Sequence, residues 1–310
     1  MVVSDIFFDK RTKFTHITFN HYSPYFAKEV LDMIVNTINE DIKNQGIGFI
    51  SRSVGYMESN IEQKYIDPKA LEGVNIIIHL AGASITGKRW SKKRKKLLLS
   101  SRVDSTNLIF SEVKKQNITL DAFISASAIG YYGSSNSENI FQETQKNGDD
   151  FLSEICFEWE NSAKKFKKEA LSKRVCIARI GIILSDSGGA LAEIIKPFKF
   201  GIGSIVGNGK QYVPWIHISD MCSILNFMIT NSSIDGVYNS VAPQHNNNKD
   251  LSILIGKIMK RPIWLPNIPS FIFKVVFGEM STILLKGSRV SSEKIINKGF
   301  NFQYKNLKIA

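Results

Sequence analysis

V-N-I-I-I-H-L-A-G-A-S, residues Val74–Ser84, is the stretch on which the fold turns. Ile76, Ile77 and Ile78 form an apolar, β-branched run with no polar alternation. That is the pattern of a strand covered on both faces of a parallel sheet. After Leu80 every residue is small. A strand that ends in Ala81-Gly82-Ala83-Ser84 leaves its carboxyl end open to close approach, and that edge is where open α/β sheets bind their ligands. A buried strand followed by an ordinary glycine turn gives the same letters.

Working outward, strand and helix patterns alternate. Phe14–Phe19 alternates like a strand, Ser23-Pro24 can start a helix over Tyr25–Asn39, and Phe49–Arg52 reads as a short strand. Trp90–Val113 reads as a basic helix with Leu97, Leu98, Val103, Leu108 and Ile109 inward. Ala122–Ser127 is a second apolar strand with a small-residue end, Asp149–Leu171 a helix, Val175–Leu184 one core strand, and Leu191–Phe200 a helix stopped by Gly201. Such alternation predicts an α/β protein with a doubly wound parallel sheet. Past residue 235 the character changes. An Asn-rich loop (Pro243–Lys249), helices over Leu251–Met259 and Phe271–Phe277, and a terminal Gly299–Tyr304 strand suggest a small α+β lobe on the substrate side. The predicted division is 1–13 as an extension, 14–234 as the sheet domain and 235–310 as the lobe.

The chain of 310 residues is 43% hydrophobic and 22% charged, an ordinary globular balance. No apolar run reaches the roughly 18 residues of a membrane helix, and no membrane partner is expected. Three scattered cysteines, Cys156, Cys176 and Cys222, form no C-x-x-C pair, so neither a disulfide framework nor a metal site is predicted. A reducing compartment such as the cytoplasm fits. The net charge of +12 comes largely from runs such as Lys88–Lys96 and Lys164–Lys168. These can be solvated helix faces, a nucleic-acid surface or a pocket for a phosphorylated ligand. The first is favoured over nucleic acid because no nucleic-acid module accompanies the charge.

Two further stretches carry chemistry. F-I-S-A-S-A-I-G-Y-Y-G, residues 123–133, sets hydroxyls at a strand's carboxyl end. Ser127 could polarise a substrate carbonyl or hydroxyl, and Tyr131 or Tyr132 could wall a pocket. A Ser-rich turn that caps the next element is the plainer alternative. Gly201–Asp220 joins four glycines to a cluster of Trp215, His217 and Asp220. It suits a flexible substrate lid, with Asp220 expected as a helix N-cap.

Together these segments resemble the atypical extended short-chain dehydrogenase/reductases, in the sugar-nucleotide epimerase-like branch with a C-terminal domain of unknown function. The matching blocks are H-L-A-G-A-S (79–84), G-K-R-W (87–90), S-R-V-D-S-T (101–106), S-A-S-A-I-G-Y-Y-G (125–133) and C-F-E-W-E (156–160). R-I-G-I-I-L (179–184), G-N-G-K-Q-Y-V-P-W-I-H-I-S-D (207–220), G-S-R-V (287–290) and K-G-F-N-F (298–302) follow in order, from about residue 49 to the end. The resemblance implies a Rossmann-type fold, NADP as cofactor and a small-molecule substrate. It implies that Ser51 and Arg52 end the second strand beside the ribose 2′-phosphate, where Arg suits NADP better than NAD. Leu80, Ala81 and Gly82 match the turn beside the dinucleotide, Arg102 a cofactor-facing arginine, and Leu184 the strand end near the nicotinamide.

The chain departs from the pattern twice. Phe19, Tyr22 and Tyr25 stand where the fingerprint glycines belong, and Pro24 removes an amide donor there. Leu152 and Cys156 stand where Tyr-x-x-x-Lys would supply the acid/base pair, so any chemistry falls to Ser127, Tyr131 or Tyr132, or His217. Two readings remain open: an NADP-linked oxidoreductase or epimerase-like enzyme, and a catalytically silent relative that binds a ligand or partner.

Overall fold

A computed structural model of the chain describes residues 66–310, apart from 67, 87, 137, 187 and 188, together with the backbone of three strands before them. The predicted helix over 25–39 and the aromatic residues expected at the fingerprint lie outside the described residues, Phe19 excepted as a backbone position.

The main sheet runs β1 (Asp5–Asp9), β2 (Phe14–Phe19), β3 (Ile47–Arg52), β4 (Ile76–His79), β5 (Ala122–Ala128), β7 (Val175–Ile180), β10 (Gly236–Ser240) in spatial order. β1 is antiparallel to β2 and every other pairing is parallel. β3 lies directly between β2 and β4, with Ile50 opposite His79. Positions 51 and 52 therefore stand level with 80 and 81 at the carboxyl edge.

Helices cover both faces, and the strand pleat decides which residue meets which. Ile77, Phe123, Val175 and Ile177 pack against Ile109 and Val113 of α1 (Lys92–Lys115) and Ala163 and Phe166 of α2 (Phe151–Lys168). Ile76, Ile78, Ala122, Ile124, Cys176 and Ala178 face the other way, onto Met221, Ile224, Leu225 and Met228 of α4 (Ile218–Thr230). This two-sided burial is why these strands read as continuous apolar runs.

The structure corrects several expected elements. The 175–184 segment is two strands, because the chain leaves the main sheet at Gly181. A Cβ at residue 181 would sit 2.7 Å from the Pro214 carbonyl oxygen, so only glycine fits the crossing. β8 (Ile182–Leu184) then pairs with β9 (Trp215–His217). α1 does not turn a leucine stripe inward throughout: its buried face is Leu98, Ser101, Arg102, Ser105, Thr106, Ile109 and Val113. The main sheet takes its last strand from 236–240, past the predicted boundary at 235. The terminal 299–304 strand is absent. Phe300 and Phe302 drop into the α4 core, and Asp220 accepts the Gln303 and Tyr304 amides at 2.8 and 2.9 Å. Asp220 is therefore a clasp for the C-terminus and not the N-cap of α4, which is His217.

That clasp predicts a result. Asp220 is 1% exposed and serves two amides. Asp220→Ala strands both and is expected to cost about 3 kcal/mol. Limited proteolysis should then clip the chain beyond residue 298 faster than in the wild type.

The rest of the lobe is built from α3 (Gly189–Lys199), α5 (Asn248–Ile258) and α6 (Ser270–Phe277). A two-stranded sheet of β6 (Ile140–Phe141) and β11 (Arg289–Val290) joins the lobe to the loop after β5.

Candidate functional site

The carboxyl ends of β3, β4, β5 and β7 bring most of the predicted residues to one edge. After β4 the chain runs through Leu80–Ser84 beneath the polar inner face of α1. Ser101 Oγ accepts the Ala83 amide at 2.9 Å, and His79 Nε2 lies 3.0 Å from Ser105 Oγ. Arg102 reaches back to the same turn. Its guanidinium donates to the Ala83 and Leu98 carbonyls, each at 2.9 Å, and lies 5.1 Å from the Trp159 ring centroid. A Cβ at Gly82 would come within 2.8 Å of that guanidinium. Glycine here lets the arginine lie flat against the turn. Burial pushes the Arg102 guanidinium down to about 10, with Cys156 opposing the shift and Arg94 adding to it. Among the described residues its hydrogen-bond partners are backbone carbonyls and Ser101, with no carboxylate.

Ser127, at the end of β5, donates to Glu160 Oε1 at 2.9 Å. Glu160 projects from α2 and receives a two-pronged bond from Arg179 of β7, Nε to Oε1 at 2.7 Å and Nη2 to Oε2 at 3.0 Å. Arg179 also donates to the Tyr132 hydroxyl at 3.0 Å, and its guanidinium stacks 3.3 Å above the Tyr131 ring centroid. Tyr132 donates onward to Asn239 Oδ1 at 2.6 Å, and Asn239 donates to the Ser291 carbonyl at 2.9 Å. One buried chain of polar contacts thus links β5, α2, β7, β10 and the lobe. Burial pushes the Tyr132 hydroxyl up to about 12 in spite of Arg179, so it stays protonated. Burial lowers and the Glu160 bonds raise the Arg179 guanidinium, and the balance holds it above its usual value.

Glu160 and Arg179 were not among the predicted site residues, although the sequence carried a signal. Arg179 is the lone charge in the apolar strand V-C-I-A-R-I, and a charge buried there needs a partner.

The remaining expectations scatter. Leu152 and Cys156 of α2 lie under the Ile129–Tyr132 turn, 3.3 and 3.6 Å from where a Cβ on Gly130 would sit. Burial holds the Cys156 thiol up at about 12, with Glu160 adding to the shift. Leu184 ends β8 in register with His217. His217 Nδ1 accepts the Ser219 amide at 3.2 Å, and the ring stacks 3.7 Å from Tyr304. Trp215 donates to Asn246 at 3.0 Å. Trp215 is turned to Asn246, whereas His217 and Asp220 both meet Tyr304, the first through its ring and the second through its backbone amide.

Gly201–Asp220 is no free lid. Its backbone is laced to the lobe by Gly207 N to Ile268 O at 2.9 Å, Ile268 N to Ile205 O at 3.0 Å and Val213 N to Asn246 O at 2.7 Å. Its glycines serve turns, Gly207 and Gly209 having φ of +60° and +72°. Of Ser51 and Arg52 the structure describes the backbone position at the edge, beside Leu80 and Ala81.

A separate hollow of about 290 Å³ opens at the amino ends of β7 and β10, lined by Lys164, Lys167, Lys168 and Asp235. It lies at the opposite edge from Ser127, and Lys167 is already paired with Asp235. Among the described residues no group of three or more His, Cys, Asp or Glu side chains could hold a metal ion, and no helix is long and apolar enough to cross a membrane.

Residues 56–240 match the model of the NAD dependent epimerase/dehydratase family, and residues 268–310 match a domain of unknown function, DUF1731. The epimerase family protein YfhF of Bacillus subtilis is 35% identical over 240 residues, 77% of this chain and 78% of its own length. A chloroplastic epimerase family protein SDR39U1 homolog of Arabidopsis thaliana is 35% identical over 242 residues, 77% of this chain and 68% of its own. Among solved structures, the human epimerase family protein SDR39U1 (isoform 2) with NADPH superposes with a TM-score of 0.75 at 24% identity, over 93% of this chain and 95% of that one. The strand order, the edge it creates and these relatives agree, and the chain belongs to the NAD dependent epimerase/dehydratase family.

Proposed function

We propose that this chain is an NADP-linked oxidoreductase or epimerase-like enzyme acting on a small molecule, with the dinucleotide along the carboxyl ends of β3, β4 and β5. One observation carries the reading: Arg102, a buried guanidinium laid on Gly82 and bonded only to carbonyl and hydroxyl oxygens among the described residues. A desolvated cation without a carboxylate is costly, and a phosphate brought to the Leu80–Gly82 turn supplies the missing charge. The donor set fits such a group. Arg52 stands at the same edge, where a second guanidinium suits a ribose phosphate. The NADPH in the human relative supports the choice. When bound, the nicotinamide supplies hydride transfer, and Leu184 ends the strand next to His217.

In this reading Ser127 holds the reacting oxygen of the substrate. Its hydroxyl turns from Glu160 toward that oxygen, and Glu160 keeps both bonds from Arg179 meanwhile. Tyr131, held flat by the Arg179 guanidinium, walls the pocket. His217 presents Nε2–H, because Nδ1 accepts the Ser219 amide.

A second reading, a catalytically silent ligand-binding protein, is favoured by Ser127 itself. Its proton is engaged by a carboxylate, and positions 152 and 156 offer a leucine and a neutral thiol.

Titration of the full chain with NADPH, followed by nicotinamide fluorescence, separates the two. Affinity of about 1–100 μM is expected, weakened roughly tenfold or more in Arg52→Glu, which sets a carboxylate against the phosphate. No binding at about 1 mM overturns the enzyme reading.

A further inference from the structure

We infer that the face built by α6 and the strip running to Phe200 is a peripheral contact for an anionic lipid bilayer. The sequence reading expected no membrane partner, and the proposal departs from that expectation.

α6 buries none of its residues. Phe271, Ile272, Val275 and Val276 share one face at helical spacing and are 65, 40, 72 and 54% exposed. A stripe of this kind faces a core in an ordinary surface helix; here it faces outward. It continues along the lobe. Residues 264–270 are laced to 201–207 through Trp264 Nε1 to Gly201 O at 3.0 Å, Ser204 Oγ to Pro266 O at 2.7 Å and Ile268 N to Ile205 O. Along that strip Phe200, Ile202 and Trp264 are 80, 53 and 70% exposed. An apolar surface of this extent marks an interaction site.

Charge identifies the occupant. Segments 196–212 and 257–289 carry nine lysines and arginines against a single acid, Glu279, and Glu279 is already bound to Lys95 at 2.6 Å. The basic run 88–96 arrives at the carboxyl end of α6, where Arg89 lies 3.0 Å from the Cβ position of Gly278. Lys88, Arg89, Lys92 and Lys93 are exposed there. An apolar helix framed by cations, with a tryptophan at its border, has the composition of a segment lying in the interface of an acidic membrane. At about 12 Å, α6 is too short to span one. A second copy of the chain fits poorly, since a two-fold contact would set the same cations against each other. Nucleic acid would use the cations and leave the Phe/Val stripe in water.

The test is sedimentation of the full chain with phosphatidylcholine vesicles, with and without roughly one-third phosphatidylglycerol. Binding to the anionic vesicles alone is expected, reduced at least about tenfold by Phe271→Asp with Val275→Asp and reduced again by Lys92→Glu with Lys93→Glu. The side chains are exposed, so each variant should melt with the wild type, which separates lost docking from lost folding. Three outcomes overturn the inference: no binding to anionic vesicles at low salt, binding indifferent to the α6 substitutions, or a concentration-dependent dimer that Val275→Asp makes monomeric. None depends on NADPH, so a failed nucleotide titration leaves this result standing.

Discussion

Arg179→Met is expected to lower the melting temperature by on the order of 10 °C. Arg179 and Glu160 are 2% and 1% exposed, and their two parallel bonds of 2.7 and 3.0 Å satisfy both groups in a space that water does not reach. Removing one partner of such a pair leaves the other charge uncompensated and costs about 3–5 kcal/mol, at a few degrees per kcal/mol for a domain of this size. Further losses follow here, because the same guanidinium donates to Tyr132 and covers the Tyr131 ring. Arg179→Met with Glu160→Gln should recover part of the loss, since no buried charge then lacks a partner. Lys164→Ala is the contrast. Lys164 touches the same carboxylate at 3.3 Å but is half in water, so its loss should move the melting temperature by no more than about 2 °C. Differential scanning fluorimetry decides it. If Arg179→Met melts with the wild type, the network does not fasten the sheet to the lobe.

This network also explains the division between what the sequence disclosed and what it withheld. Ile76–Ile78 and the Ala122–Ser127 strand were legible because burial on both faces writes itself as an unbroken apolar run. Helices expected over 90–113, 149–171, 251–259 and 271–277 stand at 92–115, 151–168, 248–258 and 270–277. The break at Gly181 was not legible, since its cause is the Pro214 carbonyl, thirty-three residues away. The terminal strand failed for a similar reason. Phe300 and Phe302 alternate as a strand would, but the amides that follow them, those of Gln303 and Tyr304, donate to the oxygens of Asp220 and not to a neighbouring strand. At the candidate site, the blocks 79–84 and 125–133 fall at the carboxyl ends of β4 and β5, as their small-residue endings implied. They did not disclose that Ser127 answers to Glu160, because that contact spans helix and strand and leaves no local period. The α1 face was misjudged because Ser101, Arg102 and Ser105 look solvated in a list of letters, while in space they hold the turn after β4.

Gly287→Ala should be among the most damaging single substitutions in the lobe. A Cβ at residue 287 would lie 1.8 Å from the Tyr212 carbonyl oxygen and 2.9 Å from its carbonyl carbon. Both are backbone atoms, so no rotamer change relieves the clash, and one of two segments has to move. The Gly287 amide donates to Ser135 O at 3.1 Å, and two residues on, Arg289 lies 3.6 Å from Glu138, the carboxylate that also accepts the Tyr212 hydroxyl at 2.6 Å. Displacing 287 therefore unpicks the seam that joins loop 134–141, segment 207–214 and β11. Overpacking of this severity costs about 3 kcal/mol or more. Gly73→Ala isolates the backbone term: φ is +70° and a Cβ there meets nothing within 4 Å. Its cost should be about 1 kcal/mol, the ordinary price of a left-handed alanine. Chemical denaturation of the two variants side by side gives the comparison. Equal midpoints would mean that segments 212 and 287 do not touch, and with that contact the assembled edge around Ser127, Tyr132 and Arg289 would lose its outer wall.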